Sequence, residues 1–313
     1  MTATTPDAQI PPLPPLVPPA ALPGGRRRRL LAALYRRPRA QILLLLTPPA
    51  GWFGIVYLGS LALLLVTAFW TFDSATGKVV QHWTLENFGQ IISQPAFRTV
   101  ALRTLQFAIF VTVADMLIAF PIAYFMAQVA SPRTRAVLFM LCLLPLWASY
   151  LVRVYAWRVI LSPNGPLDWT LGLFGLGPAG LYPSDLGVGI VFTYLWLPYM
   201  ILPLYAGLER VPRSLLEASA DLGARQVTTF RRIILPLVLP ALAAGSIFTF
   251  SLTLGDYITP GLVSNNQFIG NVVLEQQGVS GNLPLAAAFA LVPVAIMAVY
   301  LFIARRLGAF EAL

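Results

Sequence analysis

Three groups of residues have types and spacings that could do chemistry. Glu217-Ala218-Ser219, then Gly223, then Ile233-Ile234-Leu235-Pro236 set one acid and several small side chains in a short polar stretch of an otherwise apolar chain. That composition suits docking against another protein rather than bond making. Asp115 and Asp256 lie in or beside apolar runs that also hold Trp147, Tyr150, Trp157, Trp196, Tyr199 and Tyr257. Carboxylates and ring faces together stabilise a passing organic cation. Equally, Asp115 could pair with an arginine, and aromatics gather at membrane interfaces for reasons of their own. Arg153 and Arg158 form the third group. A charge at the bilayer centre costs about 2.5 to 3.5 kcal/mol on insertion scales, so these arginines and Asp115 must face a bundle interior, a cavity or each other.

Enzymatic patterns are missing from the sequence. A phosphate-cradling G-x-x-x-x-G-K-[ST] loop needs a lysine after its second glycine. The only lysine, Lys78, follows Gly77 but precedes Val79, and Phe72 stands where the first glycine belongs. Neither a G-x-S-x-G elbow nor an H-E-x-x-H helix occurs. A single cysteine, Cys142, forbids an internal disulfide, and a single histidine, His82, gives a histidine-ligated metal site no basis. The chain is therefore expected to be no enzyme and to hold no cofactor or metal.

Composition decides what surrounds these groups. Of 313 residues 58% are hydrophobic and 11% charged, with a mean hydropathy of +0.75, too little polar material to cover a water-soluble domain. A bilayer-crossing helix needs about 20 mostly apolar residues. Such runs fall at 47–72, 103–126, 136–160, 186–208, 235–258 and 284–304, which predicts an all-α membrane protein of six transmembrane helices. The stretch 171–182 is too short and too rich in glycine and proline to cross, and reads as a loop or interfacial turn. Basic residues orient the chain, since lysine and arginine are retained on the cytoplasmic side. Arginines cluster before the first run (Arg26 to Arg29, Arg36, Arg37, Arg39), between the second and third (Arg133, Arg135), between the fourth and fifth (Arg210, Arg213, Arg225, Arg231, Arg232) and after the sixth (Arg305, Arg306). Both termini are thus predicted to be cytoplasmic. The net charge of +9 follows from this topology and from anionic lipid, with no need of nucleic acid. Opposite loops carry Asp73, Glu86, Asp168, Asp185 and Glu275, an acidic entrance that favours cations only weakly, because such loops lose basic residues whatever the cargo. Residues 1–40, rich in proline and arginine, are expected to be a disordered cytoplasmic tail, with no signal-peptide pattern. Residues 41–313 form the membrane domain.

The polar stretch itself reads as a hairpin over about 213–232. Glu217 falls three residues after Ser214, a capping-box spacing, and Gly223 can stop the helix in a left-handed conformation. A second helix then runs from Arg225 through Phe230 into the membrane near Leu235-Pro236. Asp221, Ala224 and Phe230 belong to the same hairpin.

Glu217-Ala218-Ser219-x-x-x-Gly223, nine residues, then Ile233-x-Leu235-Pro236 resembles the EAA signature of importer-type ABC transporter permeases. Ser219 stands where the family usually has alanine. Phe120-Pro121-Ile122-Ala123-Tyr124, the run Leu151 to Trp157, the run Leu197 to Tyr205 and Leu254-Gly255-Asp256-Tyr257-Ile258-Thr259-Pro260 resemble the spermidine/putrescine branch of those permeases, over most of the chain from about Leu85 onward. The resemblance implies a type I importer architecture in a bacterial inner membrane. It implies import of polyamines or a related small organic cation, fed by an extracytoplasmic binding protein. A second permease subunit, most naturally a distinct homologue, would complete the pore. Two ATPase subunits would bind ATP and Mg and dock on the hairpin through Glu217, Ala218, Ser219, Asp221, Gly223, Ala224 and Phe230. ATP-driven closure of those subunits would then switch the pore from inward- to outward-facing. Asp256, Tyr257, Asp115, Trp157, Trp196 and Tyr199 are the candidate translocation residues. Relatives of this branch also serve phosphonates, ferric iron and opine-like compounds. An ion-coupled secondary transporter would call for an internal repeat, and none is visible. A non-transporting anchor or assembly subunit would have no use for ionisable residues within its spans.

The topology is testable at once. A protease-accessible tag before Arg26 or after Arg306 should be cytoplasmic, and one beside Asp168 should be exposed outside; a cytoplasmic signal from the Asp168 site overturns the orientation.

Overall fold

The computed structural model describes residues 38–306, so most of the proline-rich tail lies outside the described residues. The chain divides into two units between Ala62 and Leu63. In the first, a helix begins at Pro38, passes through a π-helical turn at Phe53–Leu58 and resumes at Gly59. Its apolar part, α1 (Leu45–Thr67), has 23 residues, enough at 1.5 Å per residue to cross a core about 30 Å thick.

The second unit opens with a feature the all-α expectation lacks. Strands β1 (Thr71–Asp73) and β2 (Lys78–Val80) pair antiparallel, with Thr71 opposite Val80. Three residues are too few to show a two-residue alternation in sequence. The turn is held by Asp73, whose Oδ1 accepts from the Ala75 amide at 2.9 Å and Oδ2 from the Thr76 hydroxyl at 2.7 Å. These bonds, Thr76 first, hold the Asp73 carboxyl below the usual range.

Helices then follow as α2 (Glu86–Ser93), α3 (Pro95–Val129), α4 (Pro132–Trp147), α5 (Tyr150–Leu161), α6 (Pro166–Leu173), α7 (Asp185–Glu209), α8 (Arg213–Asp221), α9 (Gln226–Gly255), α10 (Ile258–Val263), α11 (Ile269–Gly278) and α12 (Leu283–Arg306). Among the described residues five helices are long and apolar enough to cross a membrane, or six if one bent pair counts as a span. That pair corrects the sequence reading of 136–160 as one continuous helix. Pro132–Trp147 and Tyr150–Leu173 meet at 95°, because Ala148 and Ser149, three and four residues after Pro145, both leave the helical conformation. A hydropathy window does not register a break of two residues such as Ala148 and Ser149. The segment 171–182 ends α6 and continues as irregular chain, in line with its expected turn character.

At the centre α7 packs against α3 and α9. Two glycines set how closely the helices approach. A Cβ at Gly207 would stand 2.4 Å from the Ala241 side chain, and one at Gly245 would stand 2.7 Å from Met200 Sδ. Close backbone approach through small residues replaces the hydrophobic driving force that lipid removes. Toward the arginine-rich end the core is Ala119, Ala123, Met126, Met200, Leu204 and Val238. Toward the other end it is Val111, Val154, Val188, Phe192, Leu195 and Phe268.

Overpacking this contact should be costly. Gly207→Val is expected to destabilise the purified protein by about 1 to 3 kcal/mol, read as a lower midpoint in thermal unfolding in detergent; an unchanged midpoint shows that α7 and α9 are not pressed together at Gly207.

Candidate functional site: an exposed hairpin and a polar joint

The hairpin is built on one backbone turn. Gly223 has φ +71°, the left-handed region in which glycine carries no Cβ penalty. Its amide donates to Ala220 O at 2.8 Å, and the Ala224 amide donates to Ser219 O at 3.0 Å. This crossed pair is a Schellman turn, which satisfies the last carbonyls of α8 and reverses the chain. The expected helix stop at Gly223 is therefore present, whereas the expected start differs. α8 begins at Arg213 with Pro212 at the N-cap and no side-chain cap. The capping box between Ser214 and Glu217 is not formed. Proline already fixes φ at the entry to the helix, and the Glu217 carboxylate stays exposed with no partner among the described residues.

The two faces of the hairpin differ in character. Inward, Ser219 is buried and its Oγ lies 2.7 Å from Thr229 Oγ1. Phe230, half-buried, meets Phe120 of α3 edge-on at 5.1 Å, and Leu216 joins the same core. Outward, Glu217, Ala218, Asp221 and Gly223 are exposed, Ala224 half so. Leu222 is 87% exposed and Val227 65%. Apolar side chains so exposed beside a row of small residues make a surface with something to gain from a partner. Ser219 is thus more than a small stand-in for alanine, because its hydroxyl ties α8 to the foot of α9. Thr229, its partner ten residues on, went unnoticed in the sequence because it matches no motif.

Behind the hairpin the helix ends are knitted together. Arg135 donates through Nε to Met126 O at 3.0 Å and through Nη2 to Ala127 O at 3.2 Å, closing the last turn of α3. Its Nη1 meets Glu209 of α7 at 3.3 Å. Gln128 Nε2 donates to Leu208 O at 2.7 Å. A shift of α8 or α9 therefore acts on a joined set of helix ends.

The second polar group lies where α9 breaks into α10. Asp256 Oδ1 accepts from the Ile258 amide at 2.8 Å and the Thr259 amide at 3.3 Å. Its Oδ2 accepts from Thr259 Oγ1 at 2.8 Å and from the Tyr150 hydroxyl. The carboxylate supplies acceptors for the new helix start, as buried backbone donors in a membrane require. Trp196 stacks on Tyr150 at 6.0 Å, and Tyr199 follows Trp196 at 6.0 Å. Asp256, Trp196 and Tyr199 are thus brought together around Tyr150. Tyr257 is 43% exposed beside them, and its carbonyl accepts from Asn271.

Other expected members stand apart. Trp157 pairs with Tyr194 at 5.2 Å. Asp115 is fully buried on α3 with neither oxygen hydrogen-bonded among the described residues, and Arg153 Nε and Nη1 are likewise without a partner. The pairing of Asp115 with an arginine does not form. Arg158 donates to the Tyr182 hydroxyl at 3.1 Å. The outer acids are largely engaged in loop structure: Asp168 accepts from the Asn164 and Ala179 amides, Asp185 meets Arg103 at 3.9 Å, and Glu275 accepts from Gln267. No group of three or more metal-ligating side chains occurs among the described residues.

The family described as "Binding-protein-dependent transport system inner membrane component" matches residues 108–310. An inner membrane ABC transporter permease protein of Escherichia coli, YdcU, is 50% identical over 282 residues, 86% of this chain and 90% of that protein. The spermidine/putrescine transport system permease protein PotB of Escherichia coli is 32% identical over 263 residues, 82% of this chain and 94% of that protein. In fold, the chain is similar to a bacterial ABC transporter involved in import of the acidic polysaccharide alginate, with TM-score 0.64 and 18% identity, over 89% of this chain and 99% of that one.

The hairpin's rigidity can be measured directly. Ser219→Ala removes one hydrogen bond worth about 1 kcal/mol, and Gly223→Val forces a left-handed β-branched residue at about 1 to 3 kcal/mol. Amide exchange over 219–229 should rise in both, and more in Gly223→Val. Unchanged exchange shows that the turn is held by something else.

Proposed function

We propose that this chain, which belongs to the family of binding-protein-dependent transport system inner membrane components, uses α8 to couple a cytoplasmic ATPase to the import of a small organic cation. It is a multi-pass ABC importer permease of the inner membrane. The observation that carries the coupling assignment is the two-sided hairpin. Glu217, Ala218 and Leu222 face outward without partners, while Ser219 and Phe230 anchor the same element to α9 and α3. An ATPase subunit seats on the outer face, with Glu217 meeting a basic residue of that subunit. ATP and Mg stay on the ATPase, and its closure swings α8, which carries α9 and the joined ends of α3 and α7.

Polyamines, or a related small organic cation, are the cargo this reading favours. Its support is the likeness to permeases named for spermidine and putrescine and the ring faces of Tyr150, Trp196 and Tyr199 grouped near a carboxylate. The Asp256 oxygens being occupied, the rings provide the cation's contacts and Asp256 holds them in place. A binding protein outside delivers the solute, a second permease, distinct in sequence, forms the other half of the pore, and both termini lie in the cytoplasm. Asp115, Trp157 and Tyr257 remain proposed pathway residues, and Asp115, fully buried here, meets solute only in another state of the cycle.

The test is reconstitution of the chain with its ATPase, second permease and binding protein in proteoliposomes. Glu217→Ala and Gly223→Val should depress binding-protein-stimulated ATP hydrolysis and putrescine uptake together by at least about five-fold, since coupling free energies run about 1 to 3 kcal/mol. Wild-type rates in both variants remove α8 as the coupling element. Trp196→Ala should slow putrescine uptake with basal hydrolysis intact; unchanged uptake removes the aromatic row from the pathway.

A further inference from the structure

A groove runs along the membrane face between α3, α9 and α12. Its main part, about 520 Å³, is lined by Ile109, Val113, Met116, Phe250, Val299 and Ile303. A smaller part of about 160 Å³ continues it past Leu239 and Ala304, and the two share Met116, Tyr300 and Ile303. The Tyr300 hydroxyl is turned inward onto Ser246 Oγ at 2.5 Å, and its ring stacks on Phe250 at 4.3 Å. What the groove offers outward is therefore hydrocarbon.

One end of the groove is cationic. α9 enters the membrane just after Arg231 and Arg232, and α12 leaves it at Arg305 and Arg306. Leu239 lies seven residues, about two helical turns, beyond Arg232, and Ile303 three residues before Arg306, so both arginine pairs lie on the helix ends toward which the smaller part of the groove runs. All four are exposed, and none has an ion-pair partner among the described residues. The Arg306 guanidinium lies 5.2 Å over the Phe302 ring, one turn back along α12. Along α12 the lining runs from Ala295 to Ala304, which at 1.5 Å per residue is about 14 Å. That is close to half of a hydrocarbon core about 30 Å thick.

We infer that this groove is the seat of one anionic phospholipid of the arginine-side leaflet, an acyl chain lying along Val113, Val299 and Ile303 and the phosphate held among Arg231, Arg232, Arg305 and Arg306. Charge complementarity favours this occupant. Four arginines without an ion-pair partner among the described residues call for an anionic headgroup, and a free phosphate has no use for the groove. Guanidinium groups hold phosphate oxygens by paired donors, and clustered basic residues at a span end attract acidic headgroups. The site does not depend on the cargo, and its Arg231 and Arg232 belong to the second arm of the hairpin that carries α8. It places a lipid against α9 directly above the hairpin, where leaflet composition can bias the movement of α9.

The full-length chain, delipidated in detergent, is offered phosphatidylglycerol or phosphatidylcholine of matched chains and examined by native mass spectrometry. Phosphatidylglycerol adducts should exceed phosphatidylcholine adducts by at least about ten-fold. Combined R231Q, R232Q, R305Q and R306Q should abolish the preference, and lysine at the same four positions, which preserves the insertion charge, should retain most of it. Equal retention of both lipids, or a preference that survives the glutamine substitutions, overturns the proposal. In proteoliposomes containing the assembled complex, a photoreactive side chain at Val299 should label lipid. Labelling of the second permease instead assigns the groove to a subunit contact and also overturns it.

Discussion

The hydroxyl contact between Ser219 and Thr229, closed by the left-handed turn at Gly223, makes α8 and the foot of α9 one body. Without it α8 would be a nine-residue helix tethered at both ends by loops, shorter than a helix that holds itself in water. Because Phe230 and Leu216 are packed into the α3 core, force applied to the exposed face is passed to the bundle rather than dissipated in the loop. Arg135 and Gln128 extend that body to α3 and α7. A polar device placed in water thereby gains mechanical access to helices in hydrocarbon.

At the other end of α9 the same constraint is met in another way. A helix that breaks in a membrane must find partners for its freed backbone groups. Asp256 provides them for α10 and is in turn held by Tyr150 from α5. Tyr150 itself begins the helix that follows the 95° bend. Two irregularities, one after Pro145 and one after Gly255, are thus bound to each other through a single hydroxyl. The aromatic row of Tyr150, Trp196 and Tyr199 lies at that junction, so a change in either break moves it.

Much of this was legible in the sequence, for identifiable reasons. Apolar runs reveal spans because the bilayer imposes a length, and Gly223 was readable because only glycine enters the left-handed region without penalty. The stretch 136–160 reads as one continuous span because hydropathy carries no signal for the two non-helical residues Ala148 and Ser149. Ser214 and Glu217 had the spacing of a capping box, but Pro212 had already set the helix entry. The β1–β2 hairpin is too short for its alternation to show. Asp256 stood out as a charge among aromatics, yet spacing could not distinguish a carboxylate open to solute from one consumed by a helix start. Ser219 passed for a minor deviation until Thr229 was seen beside it, a contact across a turn that no linear pattern encodes.

The coupling role of α8 is tested most directly by contact. With a photoreactive side chain at Leu222, the most exposed apolar position of the hairpin, illumination of the assembled complex should cross-link this chain to its ATPase subunit, more strongly in the ATP-bound than in the nucleotide-free state. Absence of any cross-link to the ATPase at Leu222, with efficient cross-linking from another position at the arginine-rich end such as Arg133, would contradict the account.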